Sequence, residues 1–572
     1  MKFLIRKINI IIIFYIIFLS NVELFAKDAR IQYTRENIAN YFSGIVSANQ
    51  DNNNEAFKHL KKVQSLRKDH SKFNIEYTRT LILLDKFDKA FTFSKEAWNK
   101  DEYFFEADLL LGLESYLKKD YLEAEKYFER LNKISTYNVF FEDFIGNILV
   151  AWTKASKGNQ KDSFKSLEKI PKIYSHIAKI QNSFLQCYFA NQETEKYFKE
   201  LINNKKYNFS RYNFFLASYL ISNNKVDSAK KIINTSRKKH RSNLLLKQTQ
   251  IFLLKGKTNK IKSLFSCQNP KHSMAEFFYI LANLYASERD YQMSNFYMKI
   301  SIFLNNKFLP NKSLLAENYL NQGKYDKSKK FFNSVKPIGS EYSWYASKVI
   351  AKILLEEKGK KYSVKSLEKE FNSLTDPNFM HYYELANFYK ENQYFKESVK
   401  YYSLALKNLK KGHFLYSKIL EKRGSSSERL GDWENGEKDL KESLKILPDQ
   451  AHVLNYLAYT WIDKGINLEQ GLEMLKKANR LKENDAYIID SLGWAYYAKH
   501  DYIEAEELLQ RAVMLLPMDP VVNDHYADAL WMVNKNFKAR YVWNYVLQLE
   551  GVEKKLKDII NKKLIYGIDK KL

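Results

Sequence analysis

The chain has 572 residues, 45% hydrophobic and 28% charged, with only 17 Gly and 8 Pro. That length exceeds what one hydrophobic core organises, and so few turn residues disfavour strand-rich folds, so several helical domains or one long helical array are expected. The 41 Tyr and 38 Phe supply apolar bulk for a long core and exclude a disordered chain. The net charge of +27 accompanies abundant Lys, Ile, Asn, Tyr and Phe, residues that A/T-rich codons favour together. Its basic residues are scattered, as in Lys238-Lys239-His240-Arg241, Lys329-Lys330 and Lys360-Lys361. They read as solvated helix faces rather than a nucleic-acid surface, the alternative being contact with an anionic partner, whether membrane, glycan or acidic protein.

Residues 1–26 have the form of a signal peptide: Lys2, Arg6 and Lys7 precede the apolar run Ile10 to Leu19, and Leu24-Phe25-Ala26 offers a cleavage site. An uncleaved inner-membrane anchor over Ile8 to Ala26 is the alternative. Either reading places the body of the chain in the periplasm of a Gram-negative-like cell. No cysteine lies near the cleavage point, so no lipid anchor is expected there.

From about residue 37 the chain repeats. The clearest unit, Ala486 to Asp519, carries Leu492-Gly493, Tyr496, Ala505, Leu509, Ala512 and Pro517. Small residues let two antiparallel helices cross closely, large ones fill the space beside the crossing, and proline ends the second helix. Leu457-Ala458, Trp461, Gly471, Leu475 and Ala478 repeat this upstream, with one extra residue in the turn Lys464 to Asn467. Ala527, Leu530, Ala539, Trp543 and Val546 repeat it downstream, and Val552 to Ile565 reads as a final capping helix. Leu385-Ala386 with Ser398, Leu315-Ala316 with Ser328, Leu281-Ala282 with Ser294, Leu216-Ala217 with Ala229, and Gly44, Ala56, Ala90, Gly112 and Ala124 continue the register towards the N-terminus. Residues 175–210, 244–274 and 343–378 match poorly and read as degenerate helical units or hinges.

This 34-residue pattern resembles the tetratricopeptide repeat. The resemblance implies an all-α, right-handed superhelical solenoid. The expected organisation is an N-terminal array over 27–178, a degenerate central array over 179–378, a C-terminal array over 379–553, and a capping helix and tail over 554–572. Such arrays present the first helix of each unit to a concave groove. In the three C-terminal units that places His452, Asn455 and Tyr459; Tyr487, Asp490, Trp494 and Tyr497; and Val521, Asp524, Asp528 and Trp531 along the groove. The patch is aromatic and acidic in a basic protein, which suits protein partners. Trp494 and Trp531 could equally pack between units, whereas Asp490 and Asp528 are expected at the groove surface.

Asn455-Tyr456-Leu457-Ala458-Tyr459, Asp490-Ser491-Leu492-Gly493-Trp494 and His525-Tyr526-Ala527-Asp528-Ala529-Leu530-Trp531 also resemble a family of long, exported bacterial tetratricopeptide proteins. One branch is a lipoprotein adaptor that brings a periplasmic C-terminal processing protease to cell-wall hydrolases. This sequence lacks that branch's acylated cysteine.

No catalytic site, metal site or cofactor is expected. The ten His occur singly, and Gly424-Ser425-Ser426-Ser427 lacks the frame of a phosphate loop and lies inside a repeat helix. Cys187 and Cys267, 80 residues apart, are expected as two buried thiols unless the superhelix brings them together. The expected function is a non-enzymatic periplasmic scaffold for envelope proteins, with a polysaccharide assembly factor that binds anionic polymer as the rival.

Overall fold

A computed structural model describes residues 33–68, 70–134 and 144–568. The expected signal peptide lies outside the described residues. Among them every regular element is helical, and the helices follow one another as a solenoid of consecutive antiparallel pairs. The chain forms two compact units, Met1–Ile353 and Leu354–Leu572.

Each hairpin turn is built alike. The first helix ends on a residue with positive φ, and many of these residues lie one 34-residue period apart: Asp51, Asp85 and Lys119; Ala190 and Asn224; Arg289 and Gly323; Gly359 and Gln393; Gly431 and Gly465; His500 and Asn534. The left-handed residue lets the chain reverse while the last turn's carbonyls stay paired. The Asn534 N–H donates to Trp531 O (3.1 Å) and the Lys535 N–H to Leu530 O (2.9 Å), and the Asp85–Lys86 and His500–Asp501 turns repeat both bonds. The extra residue between Lys464 and Asn467 is absorbed by two left-handed positions, Gly465 and Asn467.

Five residues after most of these turns stands the small residue that the sequence pattern singles out. Ala56, Ala90, Ala124, Ala229, Ser294, Ser328, Ser398, Ala505 and Ala539 are all fully buried there. The crossing is close on both sides between Tyr416–Arg429 and Trp433–Ile446, where a Cβ on Gly424 would stand 2.8 Å from Gly436 O and one on Gly436 2.9 Å from Gly424 O. Neither position has room for a side chain.

The weakly matching stretches are helical pairs too: Ser175–Tyr188 with Thr194–Ile202, and Leu244–Leu254 with Thr258–Leu264. Their sequences drift because other residues fill the crossing. Ile261, five residues after Gly256, takes the buried place that Ala holds elsewhere, and after Ala190 the buried residue is Thr194, one position earlier.

In the first unit the solenoid closes on itself. Gln292 donates to Ala48 O (3.2 Å), Lys324 meets Asp51 (3.4 Å), Lys299 meets Asp85 (2.6 Å), and Phe87 stacks on Phe303 at 4.0 Å. Deeper in the same unit Arg211 is bidentate to Glu276 (2.7 and 2.9 Å) and donates to Asn311 (2.6 Å), which ties helices 65 and 100 residues apart. The same curvature brings Cys187 and Cys267 together as a disulfide, with Cα atoms 5.9 Å apart. The expectation of two separate thiols is therefore corrected. Their distance in a linear array is irrelevant once the superhelix turns back, and Gln268 seals the junction by donating to Cys187 O (2.9 Å).

The bridge closes a long loop, so Cys187→Ser is expected to lower unfolding stability by about 2–4 kcal/mol, read as a lower urea midpoint under oxidising conditions. Dithiothreitol should shift the wild type to the same midpoint and leave the variant unmoved.

Candidate binding groove

The three C-terminal pairs run Ala451–Asp463 with Leu468–Leu481, Ala486–Ala498 with Tyr502–Leu515, and Pro520–Met532 with Asn536–Gln548; Lys554–Tyr566 follows as a lone helix. The cap expected over Val552 to Ile565 is that helix. Their first helices are apolar on most sides because each packs against its own partner and against the next pair. Leu492 and Ala495 join Ala458 and Leu472 in one cluster, and Ala527 and Trp531 join Trp543 and Ile560 in another.

The candidate residues divide into two groups. His452 and Tyr487 are exposed, and Asn455, Tyr459, Trp494 and Tyr497 are half-buried. Trp494 stacks on Tyr497 (centroids 4.6 Å apart, planes 6° apart) and on His525 (4.1 Å, 15°), forming an aromatic shelf across adjacent first helices. The Tyr487 hydroxyl faces Asp519 at 3.4 Å, and His452 lies against Lys482. Asn455 Oδ1 is buried without a hydrogen-bond partner. Burial, then Asp463 and Asp490, push the Tyr459 phenol up to about 12.

The second group turns inward. Asp490 and Asp528, expected at the groove surface, are each only 5% exposed; Asp524 and Trp531 are buried as well. The reason is electrostatic. Buried carboxylates need paired charge, and two residues absent from the sequence-derived site supply it. His525 Nδ1 lies 3.0 and 3.1 Å from the two Asp490 carboxylate oxygens. Lys563 Nζ, from the last helix, donates to both oxygens of Asp524 (2.9 Å) and both of Asp528 (2.7 Å), and Trp543 Nε1 donates to Asp528 at 3.0 Å. Trp531 belongs to the packing: its Nε1 donates to Ile568 O (2.9 Å), and Gly567 (φ +72°) lies so close beneath the ring that a Cβ would overlap it. A signal for Lys563 was present, since it shares one face with Leu556 and Ile560 and so interrupts an apolar stripe.

The network sets its own titration. Burial raises Asp528 to about 6, the Asp524 charge adds to this, and Lys563 opposes it. Burial alone would lower His525, but Asp490, with Asp524 and Asp528 behind it, holds it above the ordinary histidine value. Both groups therefore bind protons more tightly folded than unfolded. Their contribution favours the fold at low pH, then falls as pH rises from about 4 to 6 for Asp528 and through the raised value for His525. Among the described residues no group of three or more His, Cys, Asp or Glu is placed to hold a metal ion, and no helix is long and apolar enough to cross a membrane.

Replacing Lys563 with Met strands two buried carboxylates and is expected to cost about 3–5 kcal/mol, read from denaturant unfolding of the full chain. In His525→Gln the decline in melting temperature as pH rises above the ordinary histidine range of about 6.5 should flatten relative to wild type, because the group that loses its proton there is gone.

No family model matches the chain. Over 99 residues it is 33% identical to a tetratricopeptide repeat-containing protein of Pseudomonas aeruginosa, a match that covers 17% of each chain. The chain thus spans about a sixth of the length of that curated relative. Similar solved structures include a tetratricopeptide repeat protein from Parabacteroides merdae (19% identity, 39% of this chain, 88% of the other, TM-score 0.33). Another, from Thermus thermophilus, is 17% identical over 33% of this chain and 99% of the other, with TM-score 0.29. Yeast Tom70 is 14% identical over 80% of this chain and 96% of the other, with TM-score 0.35.

Proposed function

We propose that this tetratricopeptide-repeat chain is a non-enzymatic scaffold of the periplasm that holds protein partners against the first helices of its C-terminal unit. The observation that carries the reading is the aromatic shelf of Trp494 and Tyr497, half-buried on one first helix and stacked on His525 of the next, with Tyr459 half-buried on the first helix before it and Tyr487 exposed. Rings held rigid by stacking lose little entropy on binding and offer large apolar area, which is the usual character of an interface anchor.

The burial of the acids changes the expected recognition. Asp490, Asp524 and Asp528 are satisfied within the chain, Asp490 through the His525 that stacks on Trp494, so partner contact is left to the rings. The partner segment is then apolar or aromatic, rather than basic. The resemblance over residues 417–550 nominates a processing protease and its cell-wall hydrolase substrates as the partner class. Location in the periplasm draws support from two independent features, the apolar leader in the sequence and the Cys187–Cys267 bridge, a kind of bond that persists in oxidising compartments.

Affinity capture from cross-linked cell envelopes should recover a small set of proteins, and the double variant Trp494→Ala, Tyr497→Ala should lose most of that recovery while retaining wild-type helicity by circular dichroism. Undiminished recovery would place the interface elsewhere. Recovery of polysaccharide alone would replace the scaffold reading with an assembly factor that binds anionic polymer.

A further inference from the structure

A second candidate site lies in the first unit, far in sequence from the groove. A cleft of about 400 Å³ opens between two second helices, Thr194–Ile202 and Val226–Lys239. That volume lies within the range of small-molecule sites. Lys199, Lys231, Lys239 and His240 line it, Ile202 and Ile232 form its apolar walls, and Ser236 stands inside. Its carboxylate is Glu195, already 2.7 Å from Lys199 and 3.6 Å from Lys225. Among the described residues no carboxylate lies within ion-pairing distance of Lys231 or Lys239, so the cleft carries uncompensated positive charge.

The decisive residue is Ser236. In two other repeats the equivalent position is also serine, and its hydroxyl bonds back to the carbonyl 26 residues earlier: Ser301 to Ala275 O (2.7 Å) and Ser443 to Ser417 O (3.1 Å or less in either direction across the serine pair). Ser236 does not follow them. The residue 26 positions before it is Ser210, which precedes the helix Tyr212–Ser222; its carbonyl accepts from Asn213 Nδ2 (2.9 Å) and its hydroxyl from Asn243 (3.1 Å). Ser236 Oγ is left buried, only 5% of the residue being exposed, with no hydrogen-bond partner. Such a hydroxyl costs stability unless something in the cleft accepts its proton.

We propose that this cleft binds a phosphate monoester group, its oxygens accepting from the Ser236 hydroxyl and from the ammonium groups of Lys231 and Lys239. A doubly charged oxyanion matches both needs, several acceptor oxygens for a stranded donor and negative charge for unpaired lysines. The group could arrive on a soluble sugar or on a lipid headgroup.

The test is titration of the full chain with glucose 6-phosphate, followed by calorimetry against chloride at equal ionic strength, with a parallel arm of phosphatidylcholine vesicles containing phosphatidic acid. The variants are Ser236→Ala, which keeps the fold because Ala478 and Ala512 fill the same repeat position, and Lys239→Gln. Millimolar or tighter binding of the sugar phosphate, weakened about tenfold by Ser236→Ala, supports the site with a soluble source. Binding confined to the phosphatidic acid vesicles and weakened alike assigns the source to lipid. No binding in either arm, or binding unchanged in both variants, overturns the proposal.

Discussion

The constraint on which everything else rests is the close crossing inside each helix pair. A left-handed residue ends the first helix, and a small buried side chain five positions later lets the second helix lie against it. Because both features recur at a nearly constant spacing, each pair presents the same face to the next. Large residues flanking the crossing, such as Trp461, Trp543 and Phe128, then fill what the small ones leave open.

Curvature explains why the polar residues behave as they do. First helices stack side by side, so their polar positions face one another across adjacent pairs rather than facing water. In the second unit this places Asp490 against His525, and Asp524 and Asp528 against Lys563. In the first unit it carries Arg211 to Glu276 and brings the turns at Asp51 and Asp85 back onto the helices near Lys299 and Lys324. The buried pairs among these replace water with a fixed opposite charge and so add little net stability, while Asp85 keeps most of its surface in solvent.

The surface that remains for partners follows from the same geometry. At Tyr459, Trp494 and Tyr497 a first-helix position carries a ring that stays half-buried, whereas Trp461 and Trp531 are taken into the packing. The shelf is therefore what packing leaves over. The cleft at Ser236 has a comparable origin, since a shift in where one first helix begins removes the acceptor its repeat-mates use.

The amino-acid sequence by itself determined the helical class, the repeat and most of its register. Those properties depend on residue size at short range, and Gly424, Ala505 and Ala539 carry that information in their identity alone. It also marked which first-helix residues lie on one face, so Tyr459, Trp494 and Tyr497 were legible as a group. The tertiary structure decided which of that face is surface. Asp490, Asp528 and Trp531 looked like groove residues because nothing near them in sequence reveals that His525, Lys563 and Ile568, 35 to 37 positions away, complete their bonding. It likewise decided the pairing of Cys187 with Cys267. A bridge over 80 residues depends on the summed curvature of several repeats, a quantity that no single repeat contains.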